Sequence, residues 1–277
     1  MISSKISRIA HIYDERSAGY DDSFHPRLAE DFIKWADLQP GQNVLDLCCG
    51  TGLVSLSAQR VVGSSGRVIG VDISNKMLDE GRRKADESGL EVTFINDDVT
   101  DMSREKMLLD NDQGFDLITC AAALVLLDNP LSALKHWATF LAPAGKLIVD
   151  VPSEKSLIVA HLVEKVVHEA GLSPDRLFTR GRYPSMASWG EDIHAAGLSI
   201  IRIFETESYG RKQIMATDAQ KEFDRHLGYV YGGETLDADL KKNLVRRLGL
   251  EHEKVADSSG VIEEDARFYV VIAGKTS

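Results

Sequence analysis

Cysteine is scarce: three in 277 residues, Cys48, Cys49 and Cys120. Two are adjacent, and none has a spacing that gathers ligands around a metal. Reduced thiols in a cytoplasmic protein are the simplest reading, and no metal site is expected. No apolar run approaches the ~20 residues of a membrane span. Met1-Ile2-Ser3-Ser4-Lys5 has no apolar stretch behind it of the kind a secretory signal carries. Positive charge is in deficit, with 32 Lys and Arg against 43 Asp and Glu and a net charge of −11. That argues against a nucleic-acid partner, because phosphate binding needs a basic face. Internal repeats and low-complexity tracts are missing. What remains is 43% hydrophobic and 27% charged, ordinary for a soluble globular enzyme. The length suits one large α/β domain or a core with an added lid.

The chain is organised around Val44-Leu45-Asp46-Leu47-Cys48-Cys49-Gly50-Thr51-Gly52. This reads as a buried strand, a tight glycine turn and the opening of a helix from Leu53 to about Val62. Gly50 and Gly52 allow close backbone approach and dihedrals that other residues resist. The free N–H groups of the following helix point back at the turn, a ready site for an anionic group. A dinucleotide fingerprint, G-x-G-x-x-G, fails here. With its second glycine on Gly50, Cys48 and Leu53 occupy the other two positions. With it on Gly52, Ser55 takes the third. Asp46 is expected at the mouth of the turn, where it would repel a pyrophosphate and hold an ammonium, directly or through water. The ligand such a site suits has a positive and a negative end, as the methionine part of S-adenosylmethionine (SAM) does.

The stretch resembles motif I of the class I SAM-dependent methyltransferases, D/E-x-G-x-G-x-G, read as Asp46-x-Cys48-x-Gly50-x-Gly52. Cys48 replaces the first glycine, so a negative φ is expected there. Tyr13-Asp14 and Tyr20-Asp21, with Phe24 behind them, resemble the N-terminal segment of the UbiE-like (type 11) members. There such a tyrosine commonly reaches the SAM carboxylate; packing is the alternative role for Tyr13 and Tyr20.

Taken in order, residues 1–40 read as a helical cap, with Leu28, Phe32 and Trp35 at helical spacing. After motif I, strand and helix alternate. Arg67–Asp72 is a strand, Ser74 caps a helix to about Glu87, and Val92–Ile95 is a strand. Phe115–Cys120 is the fourth. Pro130 opens a helix ending near Leu141, Ala142–Gly145 is a turn, and Lys146–Asp150 is the fifth strand. This alternation implies a parallel sheet covered on both faces. Leu157 to about Ala170 is an apolar helix, and Trp189 lies in another ending near Ala196-Gly197. Leu198–Ile203 and Ala266–Ile272 are strands. Between these two lie about sixty residues with helical stripes: Phe223, His226, Leu227, Val230 and Tyr231, then Leu236, Leu240, Leu244 and Leu248.

The resemblance implies a doubly wound, Rossmann-like, seven-stranded and mostly parallel α/β sheet with an antiparallel last strand and a helical lid. Within a single methyltransferase domain, residues 41–151 would be the SAM-binding core and 152–204 its completion. Residues 205–265 would be a helical insertion, the candidate substrate lid. The resemblance also assigns site residues. Asp72 would take both ribose hydroxyls, and Ile73 and Met77 would form one wall for the adenine. Asp98 would take the adenine amino group, with the N–H of Val99 on the ring; Asp97, where the family usually has glycine, is the alternative acid. Cys120 and Ala121 would offer a backbone carbonyl to the ammonium.

Methyl transfer from a sulfonium is an in-line displacement that needs placement and dryness more than a fixed catalytic group. His25 and His226 are therefore not assigned as catalytic. The reading is SAM-dependent methyl transfer to a small, apolar or aromatic metabolite, leaving S-adenosylhomocysteine. A non-catalytic SAM-binding module and a nicotinamide-dependent oxidoreductase stand as the alternatives.

Overall fold

A computed structural model describes residues 4–109, 113–172, 185–231 and 236–275. The chain forms two compact units. The first comprises residues 1–151, 179–206 and 269–277, the second 152–178 and 207–268.

The first unit holds a seven-stranded sheet. Its strands are β1 (Asn43–Leu47), β2 (Arg67–Asp72), β3 (Val92–Asn96), β4 (Phe115–Cys120), β5 (Leu141–Pro152), β6 (Leu198–Glu205) and, from the chain's end, β9 (Phe268–Lys275). Their order is β3-β2-β1-β4-β5-β9-β6. β1 pairs in parallel with β2 and β4, while β9 runs antiparallel to β6. Val44, Leu45, Ile69, Ile118, Leu147 and Ile148 are all fully buried. Apolar runs of this kind mark strands covered on both faces. The helices α3 (Leu53–Val62), α4 (Asn75–Ser88) and α6 (Pro130–Phe140) follow β1, β2 and β4. A four-residue helix, α5 (Lys106–Leu109), follows β3. Ser74 caps α4 by accepting from the N–H of Met77, and Asn129 caps α6, with Pro130 in its first turn.

Ahead of the sheet come α1 (Ser4–Arg16) and α2 (His25–Ala36). Leu28 and Phe32 of α2 are buried. The half-buried Trp35 packs edge-on to Phe204, ring centroids 5.0 Å apart. α8 (Met186–Ala195), with Trp189 fully buried, precedes β6. Residues 142–145 are not a turn ahead of a fifth strand. Leu141 pairs with Phe115 and Lys146 with Leu117, so these residues bulge from one ladder.

The second unit has its own core. On α7 (Ile158–Glu169), Leu162, Val163, Val166 and Val167 pack with Phe223 of α9 (Ala219–Tyr231). Leu244 and Leu248 of α10 (Ala238–Val255) complete that cluster. Leu227, Leu236 and Leu240 pack on it as their spacing predicts. The side chains of Val230 and Tyr231 lie outside the described ones. Two expectations are corrected here. The insertion is not helical throughout, because β7 (Arg211–Met215) and β8 (Val261–Asp265) pair antiparallel as a second small sheet. Its compact unit also begins at residue 152, not 205, because α7 buries its apolar face against α9 and α10.

Candidate functional site

The sheet order reverses between β1 and β4. Such a switch point leaves a crevice at the carboxyl ends of the strands. Here a cavity of about 300 Å³ opens among Cys48, Gly50, Asp72, Ile73, Asp97, Asp98, Val99 and Ala121–Ala123. Ile6, Ile9 and Tyr13 of α1 also line it, together with Tyr20 and residues of the segment 126–133.

The turn after β1 is made by three left-handed residues: Cys48 (φ 53°), Gly50 (φ 54°) and Gly52 (φ 76°). The negative φ expected at Cys48 is thus corrected. The cysteine adopts the glycine conformation at a cost of roughly 1–2 kcal/mol, because the chain must turn there whichever residue is present. A Cβ on Gly52 would lie 2.8 Å from the Phe94 ring, so this position also needs glycine for packing. Tyr20 lies over Gly50, its ring edge 3.9 Å from where a Cβ would be.

Asp46 is corrected as well. It does not stand at the mouth of the turn. It is 1% exposed, and its two oxygens accept from Ser55 Oγ at 2.6 Å and Thr119 Oγ1 at 2.8 Å. Burial pushes its pKa up to about 6 against the pull of those two hydroxyls. It braces β1 to β4 and α3 from beneath. Met77, Gly52 and Cys120 likewise support the cavity without lining it.

Asp72 does face the cavity. Its Oδ2 accepts from the N–H of Gly50 and its Oδ1 from the N–H of Ser74, both at 2.8 Å. Burial raises its pKa, opposed by those N–H donors. Asp97 and Asp98 both line the cavity. Asp98 accepts from Thr100 N–H and Oγ1, and Asp97 accepts from Asp98 N–H. Val99 is held by Trp137, whose Nε1 donates to its carbonyl at 2.8 Å. Tyr13 and Tyr20 meet edge-on, with the Arg16 guanidinium 5.2 and 5.6 Å from their centroids. Burial raises the Tyr20 pKa well above 10, so it remains a phenol that can donate. Neither histidine left unassigned is in the lining. His25 stacks between Tyr20 and Phe24, and His226 lies 3.5 Å from Glu222 in the second unit.

Sequence reading missed Asp150. It lies near the carboxyl end of an apolar strand as Asp46 and Asp72 do, which was the available signal. Its Oδ1 accepts from the N–H of Ala122 at 2.6 Å and holds that alanine at φ 55°. Its Oδ2 is buried without a partner among the described atoms, and burial pushes its pKa up to about 7. The folded protein therefore keeps a proton that the unfolded chain releases between about pH 4 and 7. This residue's contribution to stability falls as pH rises through that window. Asp150→Asn removes the titration, so its stability relative to the parent is expected to rise from about pH 5 to pH 8 in urea denaturation. A constant difference would show that Asp150 does not titrate there.

The family model described as a methyltransferase domain matches residues 44–145. The demethylmenaquinone methyltransferase of Geobacillus sp. (strain WCH70) is 30% identical over 166 residues, 57% of this chain and 68% of that one. The chain belongs to the class I SAM-dependent methyltransferase family. The ubiquinone/menaquinone biosynthesis C-methyltransferase UbiE of Bdellovibrio bacteriovorus is 30% identical over 149 residues, 54% of this methyltransferase and 60% of UbiE. The matched segment thus spans about two thirds of the length of these curated relatives. A putative methyltransferase from Bacillus halodurans shares the fold at a TM-score of 0.60 and 17% identity, covering 90% of this chain and 99% of that one. Magnesium protoporphyrin IX methyltransferase from Synechocystis PCC 6803, solved with bound S-adenosylhomocysteine, aligns at a TM-score of 0.52 and 17% identity. That alignment covers 91% of this methyltransferase and 84% of its neighbour.

Proposed function

We propose that the cavity of the first unit is the SAM site and that the acceptor is a small, neutral, apolar or aromatic metabolite. The observation that carries this is the sign of the cavity. Each charged side chain among the described lining residues is an acid: Asp72, Asp97, Asp98 and Asp128. A lining of that sign favours a ligand with an ammonium and a sulfonium and repels a phosphorylated or polycarboxylate acceptor.

The turn at Cys48–Gly50 then receives the methionine end beneath Tyr13 and Tyr20, with the carbonyl of Ala121 on the ammonium side. Asp72 takes the ribose hydroxyls through the lone pairs that Gly50 and Ser74 leave over. Ile73 and Val99 flank the adenine, and Asp98 accepts from its amino group. SAM, when bound, supplies a methyl group made electrophilic by the sulfonium. The protein's task is to fix the acceptor in line at about 3 Å and to exclude water. Its α1 residues Ile6 and Ile9 contribute apolar cover. The methyltransferase-domain match ends at residue 145 and does not reach the second unit, which carries the candidate substrate lid. The relatives named for demethylmenaquinone and for ubiquinone/menaquinone biosynthesis make quinone-like rings the first acceptors to try.

A thermal-shift panel of SAM, S-adenosylhomocysteine, NAD and NADP tests the cofactor. At 100-fold excess over Kd, a true ligand stabilises by about 2.7 kcal/mol. Shifts with the two sulfur nucleosides alone are expected. A shift with NAD and none with SAM would overturn the reading. An untargeted acceptor screen with labelled SAM then identifies the substrate.

A further inference from the structure

The N-terminal segment repeats a tyrosine–aspartate pair, Tyr13-Asp14 and Tyr20-Asp21. Both tyrosines line the cavity. Neighbouring residues on a helix point about 100° apart, so Asp14 on α1 points away from Tyr13; Tyr20 and Asp21 lie in the turn that follows. Both acids reach the elements that shape the cavity. Asp14 Oδ1 accepts from Ser74 Oγ at 2.5 Å and from the N–H of Lys76 at 3.2 Å. This is the N-terminus of α4, where the helix dipole favours a carboxylate. Asp21 Oδ1 accepts from Thr51 Oγ1 at 2.6 Å, and its Oδ2 from Lys84 Nζ at 2.7 Å.

Two of these four partners are firmly buried. Ser74 is fully buried and Thr51 is 1% exposed. Thr51 lies between Gly50 and Gly52 in the turn. Ser74, whose hydroxyl donates to Asp14, donates its N–H to Asp72. The segment carrying the tyrosines is therefore tied at one end to the residue that feeds Asp72 and at the other to the glycine turn. An exposed ion pair contributes little, but these contacts reach buried groups on two different elements.

We propose that Asp14 and Asp21 are positioning residues for methyl transfer: two latches that fasten residues 4–21 across the cavity and hold Tyr13 and Tyr20 against the methionine end of the cofactor. This rests on reading the cavity as the SAM site. It separates two roles within one repeated motif, tyrosine for the ligand and aspartate for the protein. A merely stabilising role would lower the melting temperature without discriminating between ligands. A latch that aims the tyrosines instead affects the amino-acid end of the ligand and spares the nucleoside end.

The test is calorimetry on the full chain with S-adenosylhomocysteine and with 5′-methylthioadenosine, which keeps adenine, ribose and thioether but lacks the amino-acid end. The double variant Asp14→Ala/Asp21→Ala is expected to bind S-adenosylhomocysteine about tenfold or more weakly, both carboxylates and their four contacts having been lost. Its affinity for 5′-methylthioadenosine should stay within about twofold. Tryptic cleavage after Arg8 and Arg16 is expected to be slowed by S-adenosylhomocysteine in the parent and not in the double variant. Lys84→Met cuts one arm of the second latch alone; it should show the same selectivity at a few-fold loss and serves as the deciding variant if the double one does not fold. Unchanged S-adenosylhomocysteine affinity, or equal losses for both nucleosides, would overturn the latches. A parent protein that binds neither nucleoside would instead overturn the SAM site itself.

Discussion

Asp72→Ala is expected to weaken SAM binding by about 1.5–3 kcal/mol, the worth of hydrogen bonds to a charged group. The ribose reading supplies one part of that loss. The structure supplies another. Asp72 accepts from the N–H groups of Gly50 and Ser74, so the alanine orphans two backbone donors beside the cavity. One belongs to the glycine turn and the other caps α4, so the cavity loosens at both ends. Because Asp72 is buried and its pKa is raised, the apo protein loses an awkward charge at the same time. Apo stability is therefore expected to change less than SAM affinity. Calorimetry on the variant and thermal denaturation without ligand separate the two quantities. Wild-type SAM affinity in this variant would remove Asp72 from the site.

Phe223→Ala should act on the other unit. Phe223 is fully buried among Leu162, Val163, Val166, Leu244 and Leu248. Truncating a buried phenylalanine costs about 3–5 kcal/mol through lost transfer energy and the cavity left behind. That is a large share of a marginal domain stability. Amide exchange is expected to accelerate in α7, α9 and α10, and S-adenosylhomocysteine binding to survive. Methyl transfer to the acceptor found by the screen should be lost. A variant that has lost this protection yet turns over at the parent rate would show that the second unit does not serve the acceptor.

Much of the first unit was legible in the sequence. The limits of α3, β2 and β4 fall where composition alone places them. Buried parallel strands are short apolar runs bounded by glycine or acid, and α4 and α6 start at the residues that can cap them. β7 and β8 were not legible. Ile214 is the single buried residue of β7, so its mostly polar sequence carries no strand alternation, and its partner lies some fifty residues on. The separate grouping of α7 was hidden for a related reason. Its apolar stripe announces a burial surface but does not say which surface covers it.

The sequence by itself determined which residues gather at the strand ends: the glycine turn, Asp72 and Asp98 at the ends of β2 and β3, and two tyrosines ahead of them. Strand period, glycine position and chain order settle that much locally. Only the tertiary structure decided which acid does what. Asp46 is turned inward by Ser55 and Thr119, Asp72 outward by Gly50 and Ser74, and Asp150 locks Ala122 from below. Thr119 is 73 residues from Asp46, and Ala122 is 28 residues from Asp150. A carboxylate's direction and charge are fixed in part by donors such as Thr119 and Ala122 that distant parts of the chain bring to it, and no local pattern encodes those donors.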